Sequence, residues 1–115
     1  EALETEKSIN RYASLHSPMD ETLVLIAIDI SGRPGLYYEV PFKRENLGEL
    51  ATENIREFLK AFATHAKLTL HVRYVCGEND HHIAEAIFKG LGRALHEATR
   101  PSDRRGSTST KGMID

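Results

Sequence analysis

Leu68-Thr-Leu-His-Val-Arg-Tyr-Val-Cys-Gly-Glu-Asn-Asp-His-His-Ile-Ala-Glu-Ala-Ile-Phe-Lys89 changes its apolar period in mid-course, and that change decides the fold. Leu68, Leu70, Val72 and Tyr74 alternate with Thr69, His71 and Arg73, the period of two by which a strand puts one face on a core. Gly77 turns the chain. Asn79 or Asp80 then caps a helix that runs to about Ala98. Ile83, Ile87, Leu91, Ala94, Leu95 and Ala98 recur at helical spacing and form its buried stripe.

Upstream, Thr52 is placed to cap another helix, to about Ala66, with Ile55, Phe58, Leu59, Phe62 and Ala66 as its apolar stripe. Leu36, Tyr38, Val40 and Phe42 alternate with Tyr37, Glu39 and Pro41 and read as a half-buried strand. Leu23 to Ile30 is an almost unbroken apolar run rich in β-branched residues, which favours a buried strand. Ser31-Gly-Arg-Pro-Gly35 between the two is turn chemistry, and a hairpin is expected there. Ile9 to Leu15 reads as a further short strand stopped by Pro18. The order is βββαβα. It predicts an α+β fold: a four-stranded mixed sheet with two helices on one face, the other face open to water or a partner. Residues 1–100 are expected to form this single domain. Residues 101–115 turn to Ser, Thr, Arg, Lys and Gly, have little to bury, and are expected to be flexible without a ligand. Glu1 to Lys7 reads as a helix end that begins abruptly, as if cut from a longer chain.

Bulk properties narrow the function. A chain of 115 residues fits one core. A net charge of −2 supplies no basic field for nucleic acid or an anionic membrane. No apolar run approaches the ~20 residues that span a bilayer, and no secretory signal pattern opens the chain. The single cysteine, Cys76, cannot form an internal disulfide, which suits the reducing cytoplasm.

The chemistry concentrates on the second helix. His81, Glu85 and Lys89 are each four apart and share one face, and His82 also reaches Glu85. The adjacent imidazoles diverge by ~100° around the helix, so they suit two ions better than one. Imidazole nitrogen with carboxylate oxygen suits Mn, Fe, Zn, Co or Ni over Mg or Ca. Lys89 on the same face can neutralise an anionic substrate group. A bare HHxxE can equally be an exposed polar helix start. The cap, the carboxylate, the lysine and the apolar opposite face together favour a metal-and-anion face. His71 reads as a solvated or partner-facing residue opposite the core, and His65 as a cation at a helix C-terminus. His16 and His96 read as surface histidines. Glu57 by itself is a solvated carboxylate, Arg11 and Arg33 are surface arginines, and the Ser107-to-Gly112 tail is a weak phosphate-wrapping signal.

Gly77-Glu-Asn-Asp-His-His-Ile-Ala-Glu-Ala-Ile-Phe-Lys89 with Ser109-Thr-Lys-Gly112 resembles the imidazoleglycerol-phosphate dehydratase family of histidine biosynthesis. Ile9-Asn-Arg-Tyr12, Pro18-Met-Asp-Glu21, Asp29-Ile-Ser-Gly-Arg-Pro34 and Thr69-Leu-His-Val72 resemble it in the same order. The family is a two-half protein in which each half carries its own HHxxE helix start, and this chain resembles the C-terminal half only. The resemblance implies half of a duplicated fold, assembly into symmetric homo-oligomers or pairing with the N-terminal half, and sites between subunits with two manganese ions each. It implies His81, His82, Glu85 and Glu57 as metal ligands, the last at a position where the family often has histidine. Glu85 is assigned to the reacting centre as a group that orients metal more than it moves protons. Arg11, Arg33, Lys89, Ser109 and Lys111 match positions that hold the substrate, chiefly its phosphate. Where the family often has Arg-Phe-Gly, this chain has Arg11-Tyr12-Ala13.

The reaction implied is loss of water from imidazole glycerol phosphate to give imidazole acetol phosphate. The glutamate that moves protons is expected in the first half. Two alternatives stand beside the enzymatic reading. One is a non-catalytic half that binds metal and self-assembles but lacks the acid/base. The other is an unrelated metallohydrolase, with no preference for imidazole ligands.

Overall fold

The structure is a computed structural model and describes residues 9–102. Two strands, β1 (Tyr12–Met19) and β2 (Thr22–Asp29), pair antiparallel in register from Tyr12 opposite Asp29 to Met19 opposite Thr22. Asp20 and Glu21 form the tight turn between them. Asp20 is left-handed there, with φ 52°, a conformation aspartate tolerates better than most residues. β3 (Gly35–Glu39) is followed by a two-residue ribbon, β4 (Asn46–Leu47) and β5 (Leu50–Ala51). Then come α1 (Thr52–Ala66), β6 (Thr69–Cys76) and α2 (Asp80–Thr99).

The sheet order is β1-β2-β6-β3. β6 pairs antiparallel with β2 and parallel with β3, so the sheet is mixed as expected. The expected hairpin between β2 and β3 does not exist, because β6 lies between them. Parallel neighbours need a crossover element, and α1 supplies it on the way from β3 to β6. The hairpin is instead β1–β2. Pro18 does not stop β1. It sits in the ladder opposite Leu23, which an edge strand permits because the missing N–H leaves no central bond unmade. β3 ends at Glu39, and Val40 and Phe42 leave the sheet but still pack on the core.

One face of the sheet makes that core. Val24, Ile26 and Ile28 project from β2 beside Leu70 and Val72 of β6, and all are buried. α1 adds Ile55, Leu59 and Ala63, and α2 adds Ile83, Ala86, Ile87, Leu91, Ala94 and Ala98. Each large apolar side chain so buried contributes ~1.5–3 kcal/mol. The expected α1 stripe needs one revision. Phe58 is 52 % exposed, its ring 5.8 Å from that of Phe88 on α2, while Ala63 takes the buried position. α2 can lie close on the strands because Gly90 carries no side chain: a Cβ there would stand 2.7 Å from Ile26 Cγ1.

Among the described residues, no helix lies on the opposite face. Ser14, Ala27, His71 and Tyr37 form one row across it, and His16, Leu25, Arg73 and Glu39 the next. The His71 ring stacks on Tyr37 at 4.9 Å, and Arg73 pairs with Glu39 at 2.8 Å. His71 is thus exposed away from the core, as its alternation predicts. No described helix is long and apolar enough to cross a membrane.

Candidate functional site

The β1–β2 turn and the first turn of α2 meet at one end of the sheet. The helix begins there because Asn79 caps it, its Oδ1 accepting the His82 N–H at 3.1 Å. Of the two caps expected, Asn79 is the one used.

Glu21 organises this end. Its Oε2 accepts the backbone N–H groups of Glu78 and Asn79, each at 2.9 Å, and the Thr22 hydroxyl at 2.7 Å. Its Oε1 lies 2.8 Å from His82 Nδ1. Four donors on one carboxylate favour its charged form strongly. The Asn79 N–H foremost, then the Thr22 hydroxyl, His82 and the Glu78 N–H, hold Glu21 well below the usual carboxylate range. The reciprocal effect raises His82 above its ordinary value of 6.5, chiefly through the Glu21 hydrogen bond. With Nδ1–H donated to Glu21, neutral His82 presents its lone pair at Nε2, the arrangement in which a carboxylate orients a metal-binding imidazole. Asp20 Oδ2 stands 3.6 Å from that Nε2.

His81 points elsewhere, as adjacent helical positions require. It is exposed and lines a shallow groove with Lys43, Arg44 and Asp80. Glu85 is exposed one turn further on, and Lys89 one turn beyond that, in a groove with Phe88, Arg93 and His96. Glu57 is exposed on α1, 3.3 Å from the Arg56 guanidinium. Among the described residues, no three His, Cys, Asp or Glu side chains converge on a point that would hold one cation. His81, His82, Glu85 and Glu57 are therefore separate donors, three on α2 and one on α1.

The two arginines lie at the other end. The Arg11 N–H donates to Ala98 O at 2.7 Å, near the last turn of α2, and its Nε is 3.5 Å from Asp29 Oδ1. Arg33 follows β2, with its N–H donating to Ser31 Oγ at 3.1 Å and its carbonyl accepting the Thr69 hydroxyl at 2.8 Å. At ~1.5 Å of rise per residue, the stretch of α2 from His82 to Ala98 is ~24 Å long. The residues proposed for metal and those proposed for phosphate thus occupy opposite ends of one copy, with Lys89 between them. Of the tail expected from residue 101 onward, Pro101 pairs with Ile9 and Ser102 is buried, whereas Ser109 and Lys111, with the rest of 103–115 and residues 1–8, lie outside the described residues.

Residue-by-residue reading missed the site role of Asp20 and Glu21. They stood out only as part of Pro18-Met-Asp-Glu21. Nothing in their own spacing tells that a hairpin turn will deliver two carboxylates to a helix start some sixty positions later.

Comparison with known proteins concerns the chain as a whole. The family description for imidazoleglycerol-phosphate dehydratase matches residues 1–95. An imidazoleglycerol-phosphate dehydratase of Acetivibrio thermocellus is 53 % identical over 115 residues, covering 99 % of this chain and 59 % of its own length. One from Thermoanaerobacter pseudethanolicus is 53 % identical over 110 residues, covering 95 % and 57 %. Among solved structures, the Staphylococcus aureus enzyme superposes with a TM-score of 0.81 at 40 % identity, over 88 % of this chain and 61 % of that one. The Pyrococcus furiosus enzyme gives 0.77 at 41 %, over 90 % and 58 %. The chain thus spans about three-fifths of the length of the relatives it matches.

Proposed function

Because this chain belongs to the imidazoleglycerol-phosphate dehydratase family, we propose that it supplies the C-terminal half of a dehydratase that converts imidazole glycerol phosphate to imidazole acetol phosphate in histidine biosynthesis. The observation that carries the reading is the Glu21–His82 pair at the start of the HHxxE helix.

The donor set fits manganese or a similar divalent transition ion. His82 is oriented by a carboxylate, and His81 and Glu85 on the same helix and Glu57 on α1 are accessible nitrogen and oxygen donors. Two diverging imidazoles suit two ions. Bound there, such an ion supplies a Lewis acid that stabilises negative charge developing on the substrate. The chain's own side chains do the rest. Glu21 holds the His82 ring in one tautomer, and Lys89 meets an anionic group. Arg11 and Arg33 bind phosphate and contribute positioning. Ser109 and Lys111 join them from the tail.

The ~24 Å of helix between His82 and the Arg11 end supports an assembled site. A three-carbon phosphate carrying one imidazole ring cannot reach from one end to the other. The metal end of one copy and the arginine end of another, or of the N-terminal half, must therefore serve the same substrate. We read the protein as a cytoplasmic homo-oligomer or a partner of that half.

One observation favours the non-catalytic alternative for the isolated half. Glu21 is fully occupied by four donors and is not available to carry a proton. In that reading the chain binds metal and assembles but lacks the acid/base. Assaying dehydration of imidazole glycerol phosphate by the 115-residue chain, with and without manganese and with and without the first half, separates the two. Manganese-dependent turnover by the chain alone establishes the enzymatic reading for this half. Turnover only after the first half is added establishes the alternative. No turnover in any combination refutes the dehydratase reading.

A further inference from the structure

Asp80 is the first residue of α2 and is 5 % exposed, so its carboxylate is removed from water and must be compensated. It does not cap its own helix, since Asn79 does that. A first-turn carboxylate that merely favours the helix dipole can remain in water, as Glu53 does on α1. Asp80 instead reaches across to residues 43–45. Its Oδ2 accepts the Lys43 N–H at 3.0 Å and the Arg44 N–H at 2.8 Å, and its Oδ1 is 3.3 Å from the former. Consecutive N–H groups turned to one side form a concave anion receptor. Beside it, Lys43 Nζ binds Glu78 through Oε1 at 2.8 Å and the carbonyl at 3.0 Å.

The same segment is tied on its other side to α1. The Thr52 hydroxyl donates to Arg44 O at 2.9 Å, and the Thr52 N–H donates to Glu45 O at 2.9 Å. Residues 43–45 are therefore a strap. The Lys43 and Arg44 N–H groups are bound by the start of α2, and the Arg44 and Glu45 carbonyls by the start of α1.

We infer that Asp80 is a positioning residue for the candidate metal ligands: through this strap it fixes the start of the helix bearing His81 and His82 relative to the start of the helix bearing Glu57. The inference rests on the metal-binding reading above. His81 follows Asp80 directly, so a loosened Asp80 lets the first helical turn move with both imidazoles. Outer residues that orient ligands typically carry 10–100-fold in metal affinity.

The test uses Co2+ as probe, read by its visible absorption, with the full 115-residue chain and Asp80→Ala, folding being checked by circular dichroism. The expected result is folded Asp80→Ala with Co2+ binding weakened about tenfold and an altered absorption envelope. Asp80→Asn retains the shape and one acceptor and is expected to weaken Co2+ binding by less than Asp80→Ala does. It decides the matter if Asp80→Ala does not fold. Slow amide exchange at Lys43 and Arg44 in the unmodified chain is expected whether or not metal is present. Wild-type Co2+ affinity and spectrum in the folded variants, or fast exchange at both amides, would overturn the positioning role alone. An unmodified chain that binds no Co2+ while those amides remain protected would overturn the metal reading, and the role with it.

Discussion

Gly90→Ala and Gly92→Ala, two residues apart on α2, should move stability in opposite directions. Either change removes a helical glycine and on propensity alone gains ~1 kcal/mol. At position 92 nothing lies within 4 Å of the added Cβ, so that gain is kept. At position 90 the Cβ would stand 2.7 Å from Ile26 Cγ1 and 2.8 Å from Ser17 Cβ, where carbon atoms prefer ~3.5–4.0 Å. Neither neighbour has room, because Ile26 and Ser17 are both buried. Overpacking of this kind costs ~1–3 kcal/mol. Ser17 Oγ also donates to Ala86 O at 2.7 Å, and pushing it aside forfeits a further ~1 kcal/mol. The balance for Gly90→Ala is a loss of ~1–3 kcal/mol, a fall in Tm of about 5–20 °C for a domain of this size. Gly92→Ala should rise by ~0.5–1 kcal/mol. Urea midpoints and thermal melts at one fixed protein concentration in metal-free buffer make the comparison, since assembly or ligand would shift both. If Gly90→Ala raises the midpoint as Gly92→Ala does, α2 does not approach the sheet as described.

Glu21→Gln should let the His82 pKa fall back toward its ordinary value, seen by NMR titration of the ring in metal-free buffer. In the unmodified chain the raised His82 contributes stability that is complete below 6.5 and lost as pH rises through its folded value, while the depressed Glu21 contributes above 4.5 and loses it as pH falls. The stability difference between the two proteins should therefore shrink from pH ~6 to pH ~8, and a difference that grows over that range contradicts the pairing. Ser17→Ala removes a buried donor to the α2 backbone and should cost ~1 kcal/mol in urea denaturation, with an unchanged slope. Arg11→Ala and His82→Ala, each defective in substrate turnover in the presence of the first half, should partly restore it when mixed and reassembled. Failure of every such mixture would argue that one copy supplies both ends.

Element types were legible along most of the chain, and pairing was not. Leu68 to Tyr74 and Ile83 to Ala98 declare strand and helix through their periods, which depend only on local geometry. The partner of β2 depends instead on β6, which arrives some forty residues later, and no local feature of Ser31 to Gly35 reveals that. Pro18 misled because its meaning depends on whether a strand lies at an edge, a property of the whole sheet. Phe58 misled because apolar character alone does not say which side of α1 meets the sheet. At the site, the divergence of His81 and His82 follows from helical geometry and was readable. The work of Glu21 and Asp80 was not, since both carboxylates are held by backbone N–H groups far away in sequence.

The place of β6 in the sheet also sets an order of assembly. The β1–β2 hairpin closes over a two-residue turn and can form as soon as both strands exist. β3 has no neighbour until α1 has crossed over and β6 has entered between it and β2. During synthesis its peptide groups therefore wait, unpaired in the sheet, until Thr69 to Arg73 have left the ribosome. A stall or truncation before that point leaves β3 an unpaired strand with Leu36 and Tyr38 uncovered, open to pairing with another nascent chain.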